Sequence, residues 1–417
     1  MFNLLMVFQQ IKSKSKGKIW QLFCATDFES LMYPCFIFCR ILGIFPYTIN
    51  TSTIKICKLC YILSTVIICI FSIFEVIIFY NFNVSKATLS IPKKLDFYCY
   101  QIFNSFITVT TFILSEPRMR LLQNILEISL KLPQKSYQNL SRIIHAKDIF
   151  GFAFAVTYAL KICYMQHLKI LNKIVGVYLY FVGIQTDMLY MNCVCILKVC
   201  FKQVNDSLAN LGKLNANSTP YFLTNTINHE QRNSFLLMQL QTLKKRHMAI
   251  SNIVETLNAT FCLQLLTTIT KTFTQSTLIL YYFATQVQVQ DVAKGNLEKR
   301  NYQEHLIIFS TTHYFVKIVL VVWACETCKN QAMDIRTTIH DVFNTISDKE
   351  IKYELQLFSL QLMHRKNIFF AKGVTIDATL LTKVNNQLFS FVKSMLVYLT
   401  LFRGFVFFSW RVALQCT

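Results

Sequence analysis

The feature that most constrains this chain is a series of apolar runs, each long enough to cross a bilayer as a helix and nearly free of glycine and proline. Such runs fall at about 57–80, 95–115, 148–166, 174–199, 259–283, 305–325 and 391–410. Only 9 Gly and 6 Pro punctuate 417 residues. A helix satisfies its own backbone polar groups in hydrocarbon, and an isolated strand does not. A membrane barrel would show short alternating segments with frequent turns, and this sequence has none. Charged residues make up 15% of the chain and mean hydropathy is +0.40. A soluble domain carries about 25% charge. The expected fold class is an all-α membrane protein with seven transmembrane helices.

The net charge is +21. The lysines and arginines sit mainly between the apolar runs, where basic residues mark cytoplasmic loops. With a cytoplasmic N-terminus, about 26 basic residues fall inside and about 9 outside. That orientation is the inverse of a G-protein-coupled receptor. No basic stretch is interleaved with aromatics on a polar background, so nucleic acid is not an expected partner. Lys12, Lys14, Lys16 and Lys18 follow a short apolar start. A signal peptide has the reverse order, so the first membrane helix is expected to direct insertion.

The inside segments 116–147, 200–256 and 326–390 are long, whereas the outside loops are short. Leu236, Leu237, Leu240 and Leu243 recur at helical spacing, as do Ile335, Ile339 and Val342, and then Ile351, Leu355, Phe358 and Leu362. Amphipathic helices beneath a membrane bury their apolar faces against one another. A cytosolic helical layer continuous with the membrane helices is therefore expected. The stretch 204–231, with Asn, Ser, Thr and Pro220 and little periodicity, reads as a loop. Near the start, Tyr33-Pro34 and Arg40 to Tyr47 read as a short helix ended by Gly43-Ile44-Phe45-Pro46. Asn83-Val84-Ser85 is the glycosylation sequon of a predicted outside loop.

Enzyme signatures are missing: there is no H-E-x-x-H, G-x-S-x-G, phosphate loop or dinucleotide fingerprint. No catalytic residue and no cofactor is expected. The potassium-filter sequence and an arginine ladder are absent, and no internal repeat supports a transporter. Most of the 15 cysteines lie in or near apolar runs as small hydrophobes. Cys57/Cys60 and Cys325/Cys328 are both C-x-x-C pairs. Together they would make a four-thiolate zinc site, and apart they are a coincidence of a Cys-rich chain. No metal is assigned.

The C-terminal third is the most specific part. A polar helical stretch, Cys325 to Lys372, leads into Gly373-Val374-Thr375-Ile376-Asp377 and then an apolar run, Phe391 to Trp410. That run holds Val397-Tyr398-Leu399-Thr400-Leu401-Phe402-Arg403-Gly404-Phe405. The succession resembles the C-terminal end of insect gustatory receptors, whose last helix carries Thr-Tyr, five mostly apolar residues, then Gln-Phe. Gly43 to Pro46 is similar to an element near the N-terminus of that family. Arg246-His247 with Leu257 to Phe261 and Gln264 to Leu266 resembles its entry to the fifth helix. Ser347 to Arg365 looks like its cytosolic helix before the last span.

This resemblance implies a tastant-gated, non-selective cation channel, related in fold to insect odorant receptors. It implies a homo- or hetero-tetramer with related receptors, placed multi-pass in the plasma membrane of sensory neurons, with a small-molecule tastant and the lipid bilayer as partners. The implied pore or gate residues are Val397, Tyr398, Leu401, Arg403, Gly404 and Phe405. Tyr398 and Phe405 match the family pattern, whereas Val397 and Gly404 replace its threonine and glutamine. Arg403 repels cations if it faces the pore and otherwise snorkels to headgroups. Leu399 stands where receptors of the main sugar subfamily tend to carry glutamate, which leans the ligand class toward bitter or unassigned. The alternatives are a G-protein-coupled receptor or a transporter.

Polar and aromatic residues in the outer halves of the spans are the candidate ligand contacts: Tyr98, Gln101, Tyr158, Tyr164, Asp187, Thr274, Gln275, Tyr281, His313 and Tyr314. Asp187 is the sharpest, because an acid at membrane depth needs a cavity or a partner. Its plainer reading is an internal pair with Lys161 or Lys317. The expected organisation is a cytoplasmic segment with a short helix (1–56) and six membrane helices with the ligand pocket (57–325). A cytosolic helical anchor (326–390) and a pore-lining last helix with a short external tail (391–417) follow.

Overall fold

A computed structural model of the chain describes residues 23–49, 53–84, 91–164, 169–216, 226–290 and 297–384, with 386 and 390. The last apolar run, with Val397 to Phe405, lies outside the described residues. The helices are α1 (Phe28–Ile41), α2 (Lys58–Val84), α3 (Ile91–Ile113), α4 (Ser115–Ser129), α5 (Gln134–Tyr164), α6 (Ile170–Ala216), α7 (Thr226–Gln290), α8 (Leu297–Thr345) and α9 (Lys349–His364). Two small antiparallel ribbons complete the described fold: β1 (Tyr47–Ile49) with β2 (Ile54–Ile56), and β3 (Phe370–Ala371) with β4 (Val374–Thr375).

The N-terminal helix ends as its sequence predicts. Asp27 accepts from Ser30 N at 2.9 Å, and Ser30 Oγ accepts from Asp27 N at 3.2 Å, so two amides at the helix start are capped reciprocally. Gly43 at φ +72° then turns the chain out of the helix, a conformation costly for any residue with a Cβ. Phe45 and Tyr47 tuck back against Phe36 in a buried aromatic group.

The second predicted span ends in a sharp bend: α3 and α4 meet at 63°. Pro117 has no N–H, and its ring crowds the carbonyl four residues back, Ile113, where α3 stops. The elbow aims Arg118 into the interior.

The central helix is α6. It packs on α8 most extensively and also on α3, α5 and α7. Its residues Tyr190, Val194, Leu197, Phe201, Val204 and Leu208 are wholly buried. Gly212 brings the α6 backbone close to α8: a Cβ there would sit 2.8 Å from Val342 Cγ2.

This packing corrects one expectation. Residues 204–216 and 226–231 are helical and not loop. Val204, Leu208 and Leu211 form an i, i+4, i+7 face against the core, which the intervening Asn and Ser residues disguise. Only 217–225, outside the described residues, separates α6 from α7. At 325/326, where the membrane part was expected to pass into the anchor region, α8 runs on unbroken from Leu297 to Thr345.

The helical layer around α9 forms on the predicted faces. Ile335, Ile339, Val342, Ile351, Leu355 and Phe358 are buried, with Leu236, Leu240 and Leu243 of α7. Asp348 caps α9, accepting from Ile351 N at 3.0 Å. After α9, Lys372 and Gly373, both at positive φ, form a two-residue hairpin turn between β3 and β4. Asn258 of α7 holds that hairpin: its Nδ2 donates to Ile368 O at 2.8 Å and its Oδ1 accepts from Phe370 N at 3.4 Å.

Among the described residues, α2, α5 and α6 are long and apolar enough to cross a membrane, with α3 and α4 a further bent span. The stretches read as spans at 259–283 and 305–325 are helical but are not among these, and the first carries Thr260, Gln264, Thr268, Lys271, Thr272 and Gln275. These lower its hydropathy, and they are the residues that α7 buries inward.

Candidate functional site

Four helices close an aromatic chamber. Phe154 and Tyr158 lie one turn apart on α5, so they share a face. His313 of α8 stacks on both, with centroids at 4.9 and 5.0 Å. Tyr180 of α6 stacks on Tyr158 at 4.3 Å, and its hydroxyl lies 2.9 Å from His313 Nε2. Tyr158 and Tyr314 hydroxyls are 3.4 Å apart. Tyr100 of α3 donates to Gly176 O at 2.9 Å, and the Lys271 ammonium lies 5.2 Å from its ring centre. Aromatic walls with a few fixed polar groups suit small organic ligands.

The chamber has a charged floor. Asp187 Oδ2 pairs with Lys317 Nζ at 2.6 Å. Its Oδ1 accepts from Gln264 Nε2 at 2.9 Å and Thr268 Oγ1 at 3.2 Å. Gln264 Oε1 in turn accepts from the Arg118 guanidinium at 2.6 Å, and that guanidinium rests 4.7 Å over the Phe261 ring. Beside this chain, Lys271 Nζ donates to Asn104 Oδ1 at 2.6 Å. A cavity of about 30 Å³ opens between Gly151, Phe154, Asp187, Met188, His313 and Lys317. That is room for roughly two waters or one small polar group. A larger cleft, about 400 Å³, lies between α1, α5 and α6 and is lined by Phe38, Phe152, Phe181 and Met188, with Gln185 and Asp148.

The structure gathers Tyr158, Asp187, His313 and Tyr314 from the sequence-predicted ligand residues. Asp187 takes the internal pair with Lys317, whereas Lys161 rides 5.5 Å over the Tyr158 ring. Gln275 is buried and donates to Asp96 O at 3.3 Å, and Gln101 is buried nearby on α3. Tyr98 belongs to a separate aromatic group with Phe79, Phe82 and Phe97, and its hydroxyl bonds to Asn83 of the sequon. Thr274 is half-buried. Tyr164 and Tyr281 are exposed and do not join the chamber.

Sequence reasoning missed Tyr180, Tyr100, Asn104, Arg118 and Lys271. The argument applied to Asp187, that a charge at membrane depth is costly, applies equally to Lys271. The two C-x-x-C pairs do not converge: among the described residues no group of three or more metal-ligating side chains forms. Cys325 and Cys328 are buried in the core instead, with Tyr190 Oη 3.2 Å from Cys325 Sγ.

A family model described as the 7tm chemosensory receptor matches residues 32–402. The candidate gustatory receptor 28b of Drosophila melanogaster is 28% identical over 156 residues, which is 36% of this chain and 32% of that protein. The match thus spans about a third of the length of that curated relative. The structure of the insect olfactory receptor OR5 from Machilis hrabei superposes with a TM-score of 0.65 at 11% identity, covering 88% of this chain and 97% of that one. At that identity the likeness is one of fold.

Proposed function

The chain belongs to the 7tm chemosensory receptor family, and on that premise we propose that it is a gustatory receptor subunit that opens a non-selective cation pore when a small tastant binds. It is a receptor of ion-channel type and not an enzyme. The observation that carries the tastant reading is the chamber of Phe154, Tyr158, Tyr180 and His313 above the Asp187–Lys317 floor. A buried ion pair stabilises little overall, so the Asp187–Lys317 pair favours a role in binding over one in stability.

In this proposal seven spans, a cytoplasmic N-terminus and the four-part organisation read from the sequence hold, with residues 326–390 anchoring four subunits. Val397, Tyr398, Leu401, Arg403, Gly404 and Phe405 line or gate the pore of the tetramer, at the plasma membrane of sensory neurons. The ligand class is bitter or unassigned, in keeping with Leu399. Tyr98, Gln101, Thr274 and Gln275 serve as an outer rim, and Tyr164 and Tyr281 are the weakest of the contacts proposed.

The test is expression with calcium imaging over a tastant panel, alone and with related receptors, comparing wild type with Tyr180→Leu. A tastant-evoked signal that Tyr180→Leu shifts to higher concentration at least tenfold is expected. A signal unchanged by Tyr180→Leu would remove the chamber from the mechanism. No signal under any condition would overturn the channel reading, and an N-terminal tag labelled on intact cells would overturn the topology.

A further inference from the structure

The chamber floor buries more positive than negative charge. Arg118, Lys271 and Lys317 are the cations, and Asp187 is the carboxylate. Asp187 has both oxygens engaged, by Lys317, Gln264 and Thr268. Lys271 is 4% exposed, and its hydrogen-bond acceptor is the neutral Asn104. Among the described residues it has no carboxylate within ion-pair distance. The next tier does not cancel the excess. Asp96 faces Lys161, and Glu75 accepts from Ser105. Counting both acids and Lys161, four cations face three carboxylates.

Outside the described residues this sequence holds a single Asp or Glu, Asp291. No Asp or Glu follows Asp377 in the sequence. Residues 1–22 contain none, nor do 85–93, 165–168 or 217–225. Asp291, Glu298 and Glu304 follow the end of α7 at Gln290, which a helix places about 28 Å from Lys271. Along α8, Glu304 precedes Lys317 by about 20 Å. A buried ammonium without a counter-charge is costly, and an ionised partner offsets that cost.

We propose that the chamber takes a ligand with one anionic group, a carboxylate in the simplest case, and that this group seats against Lys271, with the stacked rings parting to admit it, because the cavity beside Asp187 and Lys317 holds only a small polar group and does not reach Lys271. The apolar part of the ligand lies on the Tyr158, Tyr180 and His313 rings. Lys271 keeps ammonium hydrogens beyond the one given to Asn104, and a carboxylate oxygen accepts them without displacing Asn104. Lys317 and Arg118 add attraction at longer range but are held by Asp187 and Gln264. This inference rests on the chamber being the ligand site, as proposed above.

The test uses the full chain in nanodiscs, with thermal unfolding read at constant ionic strength. Acetate, benzoate and indole-3-acetate are titrated against their neutral amides, with chloride as a separate arm. The expected result is a saturable rise in the unfolding midpoint with at least one carboxylate, and an apparent affinity at least tenfold weaker for its amide. Lys271→Met is expected to abolish that rise, and Lys271→Arg to keep part of it. If Lys271→Met does not fold, Lys271→Arg and the wild-type contrast between acid and amide decide the matter. Equal effects of acids and amides, no saturable effect of any acid, or a full response in Lys271→Met would overturn the proposal. So would saturation by chloride alone at the same concentration as the acids, which would make the anion inorganic. The readout needs no current. Anion binding without gating would sink only the channel reading, and tastant-evoked gating without anion binding would sink only this one.

Discussion

Around Asp187 the bundle buries charge, amide and hydroxyl groups side by side with tyrosine and histidine rings. Around Phe358 it buries chiefly carbon: Leu355, Ile335, Ile339, Ile351 and Phe358 are almost wholly enclosed, with His247 set among them. The helix and hairpin that close this second region have their own stops, the Asp348 cap and the Gly373 turn. Hydrocarbon burial stabilises at about 25 cal/mol per Å² with little demand on orientation. A buried ion pair stabilises little overall but fails badly when one partner is lost. The layer around α9 therefore tolerates change in orientation, whereas the chamber depends on each polar partner being in place.

The sharpest way to break this contrast is Asp187→Ala. It strands Lys317 in the interior and is expected to destabilise by about 3–5 kcal/mol. The double variant Asp187→Ala with Lys317→Met is expected to recover most of the loss in a thermal melt. No recovery would mean that Asp187 acts mainly through Gln264 and Thr268. Leu355→Ala in the apolar layer is expected to cost about 3 kcal/mol by leaving a cavity, while the half-maximal tastant concentration of the surviving receptor stays within about threefold of wild type. A large shift in ligand sensitivity would show that the two regions are not separable.

A pH titration sharpens the same comparison. Burial, helped by the Arg365 charge, pushes the His247 imidazole down to about 4. Its ring lies 5.6 Å from Phe358, with Gln361 Nε2 3.0 Å from Nδ1. The folded state favours the neutral ring, so His247 holds its full contribution above about pH 6.5, the ordinary value. That contribution falls as pH drops toward 4, by up to about 3 kcal/mol. His247→Gln is expected to flatten this acid limb of the stability curve, and an unchanged limb would assign it to other groups. The smallest effect is Asp348→Ala, about 1 kcal/mol from the lost cap, readable as faster hydrogen exchange confined to the first turn of α9.

Several pieces were legible in the sequence because they depend on local pattern. The Gly43 stop, the α9 face and the Gly373 turn are set by φ preference and by a 3.6-residue period. The helix over 204–216 was hidden because its apolar face is thin and its polar residues are those of turns, and packing against α8 overrode the local signal. In the chamber, Asp187 stood out as an acid in an apolar run. Tyr180 looked like any other aromatic of a membrane helix until α5, α6 and α8 brought it onto Tyr158 and His313.

By itself the sequence determined the helical membrane class, the amphipathic faces of the layer around α9 and the supply of charge. No later acid follows Asp377, and that is a fact of composition that no packing alters. Only the tertiary structure decided which charges meet. Arg118, Asp187, Gln264, Lys271 and Lys317 sit on four helices and are far apart along the chain, so their partnership depends on helix rotation and, for Arg118, on the bend at Pro117. Those are set by the fit of whole helices, a sum over many weak contacts that no single stretch of sequence displays.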